Sequence, residues 1–169
     1  MSEFKADDFV MPRTEGGVSL CHSCRKNNLC RLGVTTEQVA DDGRIEFDVE
    51  CPPFYEAGPG VAHGGWTAEV MDETTGRVPL DGHGQMTVTG TLSVRYIKPV
   101  AIGLQLKAAA WLDRVEGKKW FVLGELRVAS TSEVLASATG IMIAREPAAH
   151  FGEFKKWLGD QESDRPAAI

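Results

Sequence analysis

Residues 58–65 read Gly-Pro-Gly-Val-Ala-His-Gly-Gly and run straight into ten residues without a breaker, Trp66–Thr75. A helix that starts there offers unpaired backbone N–H groups and the positive end of its dipole. Glycines at that start let another molecule come close to the backbone. Such an end stabilises a phosphate or the oxyanion of a carbonyl under attack. The plainer reading is that the glycines make a sharp turn into the helix. Three carboxylates follow: Glu69, Asp72 and Glu73, spaced three and four residues apart and sharing one sector of the wheel. On an exposed helix they form a solvated face. On a helix buried by its own sheet or by a partner, one of them serves as a general base or nucleophile.

The histidines and cysteines carry less. His63 stands one residue before the Gly-Gly pair, where hydrogen bonding to fix the loop competes with an acid–base role. His83 lies between glycines and receives no role. Cys21, His22, Cys24 and Cys30 offer zinc ligands, but a structural zinc site shows two paired half-sites. The distant Cys51, followed by two prolines, does not make the second pair. The expectation is therefore free thiols, with neither bound metal nor a disulfide needed for folding. Trp66, Trp111 and Trp120 read as core or pocket walls.

These residues need elements to position them. Apolar Trp66, Ala68, Val70 and Met71 take one arc of the helix, opposite the carboxylates, and Gly76 and Pro79 are expected to end it. Ile45–Val49 alternates as a short strand, and residues 51–65 are too rich in Pro and Gly to be anything but loop. From residue 86 the period becomes two. Met86–Tyr96, Leu104–Val115, Trp120–Ala129 and Val134–Ala144 are predicted strands. Their short joints predict an antiparallel meander in which every connection is a hairpin. Phe151–Leu158 is a predicted short helix, and the last dozen residues are expected to fray. One helix cannot cover both faces of five strands. The sheet must curl around it, or a second copy must cover the rest.

Composition sets the outer bounds. At 169 residues the chain is one domain with its own core. Hydrophobic residues make up 43% and charged residues 25%, which argues against disorder. The net charge of −6 opposes non-specific nucleic-acid binding. No stretch approaches a membrane span, and the acidic start MSEFKADDFV does not read as a signal peptide, so a cytoplasmic location is expected. The expected divisions are an irregular segment with the cysteines over 1–43, the domain of helix and strands over 44–146, and a short helix and tail over 147–169.

The run AHGGWTAEVMDE, the strand ending VRYIKPV and the three long strands after it resemble the hot-dog-fold thioesterases, most closely the PaaI-like acyl-CoA thioesterase branch. The resemblance covers about residues 45–145. An acid nine residues after the His of HGG and the Tyr96-x-x-Pro99 pair are its most specific parts. A looser match lies upstream, where Cys21, Cys24, Asn28 and Leu32 keep a family pattern but Arg25 and Arg31 replace its glycines. The resemblance implies an α+β hot-dog fold, a curved antiparallel sheet of five to six strands wrapped around one central helix. It implies a homodimer with active sites at the interface, and a dimer of dimers as the larger assembly. It implies hydrolysis of an acyl-CoA thioester without a cofactor. Gly64, with Gly65 nearby, would supply the oxyanion hole. Asp72 from the partner's helix would be the catalytic carboxylate, with Glu69 and then Glu73 as second choices. Thr89 would position the attacking water. Arg95, Lys98, Lys118 and Lys119 would receive the CoA phosphates. Where several relatives carry an Asn six residues before the His, this chain has Ala57, with Tyr55 and Glu56 beside it. The alternative is a hot-dog protein that binds acyl-CoA or another small ligand without turning it over.

Overall fold

The computed structural model describes residues 11–161. Six antiparallel strands form one sheet: β1 (Val34–Val39), β2 (Ile45–Glu50), β5 (Thr87–Tyr96), β6 (Gln105–Glu116), β7 (Lys119–Val128) and β8 (Val134–Ala144). Their order across the sheet is β1-β2-β6-β7-β8-β5. A separate two-stranded ribbon, β3 (Glu56–Gly58) with β4 (Val61–Ala62), leads into the long helix α1 (Gly64–Arg77). A second helix, α2 (Pro147–Gln161), closes the described chain.

The sheet curves around α1, which touches β2, β5, β6, β7 and β8. Trp66, Val70 and Met71 are fully buried on the helix, against Ile45, Phe47, Val122 and Leu126 in the core. Two glycines let the helix lie close to the sheet. A Cβ on Gly124 would stand 2.9 Å from the Met71 side chain, and one on Gly140 would meet Met142 at 2.6 Å and Thr75 at 3.4 Å. The shortest contacts are to the flexible ends of Met71 and Met142, which would have to shift, while Thr75 of the helix already lies against both glycines, so larger residues there would crowd the helix. The hot-dog fold, one helix held in a curved antiparallel sheet, is thus present.

Several elements differ from the sequence expectation. A strand, β1, lies inside the segment read as irregular, because its alternation is broken by a register shift between Val34 and Thr36. Gly76 and Pro79 do not stop the helix sharply. The chain continues from Arg77 into a π-helical turn over Val78–Gly82, with Pro79 as the second residue of that turn. The joint after β5 is no hairpin. β5 pairs with β8, not β6, and residues 97–104 cross from one edge of the sheet to its interior. Val100 anchors that crossing: it is buried, and its carbonyl accepts the Ala62 N–H at 2.9 Å. The C-terminal helix is longer than expected at both ends. The fraying expected of the final residues falls largely outside the described chain.

The sheet's two edges are treated differently. Along β1, Glu37 donates its N–H to Gly16 and accepts the Ser19 N–H on its carboxylate at 2.7 Å, so the segment before β1 covers that edge. Along β5, Thr89, Gly90, Thr91, Ser93 and Arg95 are all exposed. Among the described residues nothing pairs with that outer edge.

Candidate active site

The start of α1 is capped from the sequence itself. His63 is extended and its Nδ1 accepts the Gly65 N–H at 2.8 Å, the standard way of satisfying one orphan donor. Gly65 is packed tightly enough that a Cβ would lie 2.8 Å from that nitrogen. Gly64 is exposed, and its N–H has no acceptor among the described residues. Its carbonyl accepts the Tyr96 hydroxyl at 3.1 Å. The helix therefore begins with one donor tied to His63 and one aimed outward, beside a phenol that pins the turn.

Two turns further on, Asp72 is half-buried and its Oδ1 accepts the Thr89 hydroxyl at 2.9 Å. Its Oδ2 has no partner among the described residues. A β-bulge between Thr89 and Thr91 leaves Gly90 unpaired and turns Thr89 toward the helix. The other two carboxylates are engaged elsewhere. Glu69 accepts the Tyr55 hydroxyl at 3.0 Å and lies 3.6 Å from Arg31. Burial, then that hydrogen bond, pushes the Tyr55 phenol up. Glu73 is paired with Arg77 one turn on, and Arg77 is almost wholly buried.

Arg77 also reaches Asp81 at 3.2 Å and the Ser19 carbonyl at 2.8 Å. Arg13 bonds Asp81 at 2.8 Å and lies 3.7 Å from Glu37. Burial pushes the Glu37 carboxyl up, against the pull of the Ser19 N–H and Arg77. This network ties the chain before β1 to the end of α1. Glu73 and Arg77 at i,i+4 are a recognisable helix pair, whereas the Ser19 contact and the Arg13–Asp81 pair depend on tertiary packing.

The cysteines belong to the same neighbourhood. A cavity of about 140 Å³ lies against α1, with Cys21, Cys24 and Cys30 on one wall and Glu69, Asp72 and Glu73 on the other. All four cysteines are free thiols. Burial pushes the Cys21 thiol up, but hydrogen bonds from Ser23 and Cys24 outweigh it and hold the group below its ordinary value. Burial raises Cys30, and it raises Cys51 to about 11. Among the described residues no cluster of three or more His, Cys, Asp or Glu side chains could hold a metal ion.

The remaining sequence candidates are scattered. Trp66 is fully buried and donates its indole N–H to Leu32 at 3.0 Å, while Trp111 lies under Arg44 and Trp120 beside His83. Arg95 and Lys98 sit at the Tyr96 end of β5, and Lys98 is paired with Glu133. Lys118 and Lys119 sit at the β6–β7 turn, beside Ile143 and so beside Val88, at the other end. One chain does not bring these four cations together. Glu56 accepts the Gly60 N–H, and Ala57 is exposed.

A curved antiparallel sheet around one helix defines a hot-dog protein, and its helix carries an open donor at the start and a carboxylate–threonine pair two turns later. Residues 59–135 match the model of the thioesterase superfamily. Over those residues the chain is similar to that superfamily. It is 31% identical over 120 residues to acyl-coenzyme A thioesterase THEM4 of Xenopus laevis, which covers 69% of this chain and 54% of that protein. The chain thus spans about half the length of that curated relative. A thioesterase superfamily protein of known crystal structure superposes with a TM-score of 0.58 at 28% identity, covering 63% of this chain and 54% of the other. A Streptococcus mutans protein solved with acetyl CoA bound gives 0.60 at 21% identity over 64% and 86% of the two chains, a likeness of fold. Among the described residues no helix is long and apolar enough to cross a membrane.

Proposed function

We propose that the protein hydrolyses an acyl-CoA thioester to a carboxylic acid and free CoA, at sites shared between two copies of the chain. The observation that carries this is the pair of features on one helix: the open Gly64 N–H at its start and Asp72 with its Thr89 partner. Gly64 and Asp72 are eight residues apart, ~12 Å along the axis at 1.5 Å per residue. One carbonyl cannot touch both. A second copy, seated so that its Asp72 faces the first copy's Gly64, completes the site. The uncovered β5 edge, which carries Thr89, supports such pairing, since a bare edge strand is a template for another strand.

In this reading the thioester oxygen accepts the Gly64 N–H, and one such donor is typically worth about 3 kcal/mol in the transition state. Thr89 holds one oxygen of Asp72, leaving Oδ2 for a water. Asp72 takes a proton as the water oxygen bonds to the carbonyl carbon, the C–S bond breaks, and the CoA sulfur leaves with a proton. Direct attack by Asp72, giving an anhydride that water then opens, uses the same carboxylate and yields the same products. His63 holds the helix start, through Gly65. The CoA phosphates would fall to Arg95, Lys118 and Lys119, gathered from two copies. The relative named an acyl-coenzyme A thioesterase supports the reaction class.

The second reading is ligand binding without turnover. Ala57 favours it, because no amide stands there to hold the thioester or the water, and the Tyr55 hydroxyl is already given to Glu69. A panel of acyl-CoAs with a thiol-detecting reagent separates the two. Release of free CoA that scales with protein is expected. Saturable acyl-CoA binding with no thiol release would establish the second reading.

A further inference from the structure

A larger cavity, of about 650 Å³, opens on the far side of Cys21, which lines both spaces. Its walls are Met11 and Cys21 from the chain before β1, Leu80, Met86 and Thr87 from the approach to β5, and Phe151 from α2. Most of that surface is apolar. Two basic residues, His22 and Arg25, break the pattern. Arg25 is half-buried, and no carboxylate pairs with it among the described residues. Its Nε is buried without a hydrogen-bond partner. Leaving such a donor unsatisfied is costly, and a guanidinium presents a fork that fits a carboxylate.

We propose that this cavity takes the acyl group of the substrate, and that Arg25, with His22 beside it, binds a carboxylate at the far end of that acyl group. The substrate class is then a monothioester of a dicarboxylic acid. This rests on the hydrolase reading above and deepens it. Position favours the acyl group over the CoA phosphates. Thr87 lies two residues from Thr89, about 7 Å along the strand, and Thr89 bonds Asp72. A group that fills the cavity is therefore joined close to the scissile carbonyl, whereas the phosphates lie beyond the long pantetheine arm. Apolar walls suit the methylene chain, and the unpaired guanidinium suits its terminus.

The test compares adipoyl-CoA with hexanoyl-CoA, equal in carbon number, on the full chain and on Arg25→Met and Arg25→Lys. The wild-type chain is expected to favour adipoyl-CoA in kcat/KM, and Arg25→Met to lower the adipoyl-to-hexanoyl ratio at least about tenfold, as befits loss of a charged hydrogen bond. Arg25→Lys is expected to keep part of the preference. A wild-type ratio at or below one, or a ratio unmoved by Arg25→Met, overturns the proposal. Calorimetry with free adipate, hexanoate and CoA gives a readout that needs no turnover. Adipate binding that is lost in Arg25→Met supports the cavity assignment even if no thioester is hydrolysed, in which case only the hydrolase reading falls. Weaker binding of free CoA to Arg25→Met, with adipate unaffected, would assign Arg25 to a phosphate and overturn it.

Discussion

Asp72, Glu69 and Glu73 share one helix sector, yet their partners separate them. Asp72 is held by a neutral hydroxyl, Glu69 by a phenol and an arginine, and Glu73 by buried Arg77. Asp72→Asn keeps the size and removes the base, so thioester hydrolysis should fall at least ~10²-fold with dimerisation intact, measured by thiol release and light scattering. Glu73→Gln should cost activity far less. Wild-type turnover in Asp72→Asn with a dead Glu69→Gln would move the role to Glu69. The thiols differ as sharply. Cys21 is exposed and its pKa is depressed, while Cys51 is buried and pushed up to about 11. At neutral pH more of Cys21 is thiolate, so iodoacetamide followed by peptide mapping should label Cys21 before Cys51. Equal labelling would contradict the assigned environments. Helix spacing groups Glu69, Asp72 and Glu73 in one sector, and only the family resemblance points from there to Asp72, Gly64 and Thr89. Neither could show that Cys21, Cys24 and Cys30 line a cavity against the same helix, since that contact spans some forty residues of chain and depends on tertiary packing.

At the scale of elements, α1 is fixed at both ends by side chains. At its start, His63→Ala removes the acceptor of the Gly65 N–H, and loss of a cap costs about 1 kcal/mol. His63→Asn should recover most of it in urea unfolding. At its end, Arg77→Met would leave Glu73 and Asp81 short of a cation in a buried site, a loss of about 3 kcal/mol or more. A urea midpoint within error of wild type would show that the network adds nothing to folding. The long strands β5 to β8 were legible from period-two alternation, and β8 matches its predicted bounds. The partner of β5 was not legible. Alternation reports which face of a strand is buried and says nothing about which neighbour it pairs with, so the short joint 97–104 read as a hairpin. The helix end differs from expectation for a related reason: a proline just past the last α-helical turn can lie in a wider turn as well as stop the chain.

For the whole molecule, the proposed site needs two copies of the chain. The exposed β5 edge and the ~12 Å between Gly64 and Asp72 both call for a partner. Light scattering at micromolar concentration should give a dimer or a dimer of dimers, and a monomer would remove the shared site. Complementation tests it most directly. Gly64→Pro deletes the outward N–H at the first helical position, where proline is tolerated and where His63 already has the extended conformation that precedes proline. Asp72→Asn deletes the carboxylate. Each variant alone should be inactive as a homodimer. Heterodimers of the two, co-expressed with different tags and purified on both, rebuild one intact site, from the Gly64 of one chain and the Asp72 of the other. The expected result is about half the wild-type turnover per dimer. Heterodimers as inactive as the two homodimers would contradict a site shared between chains.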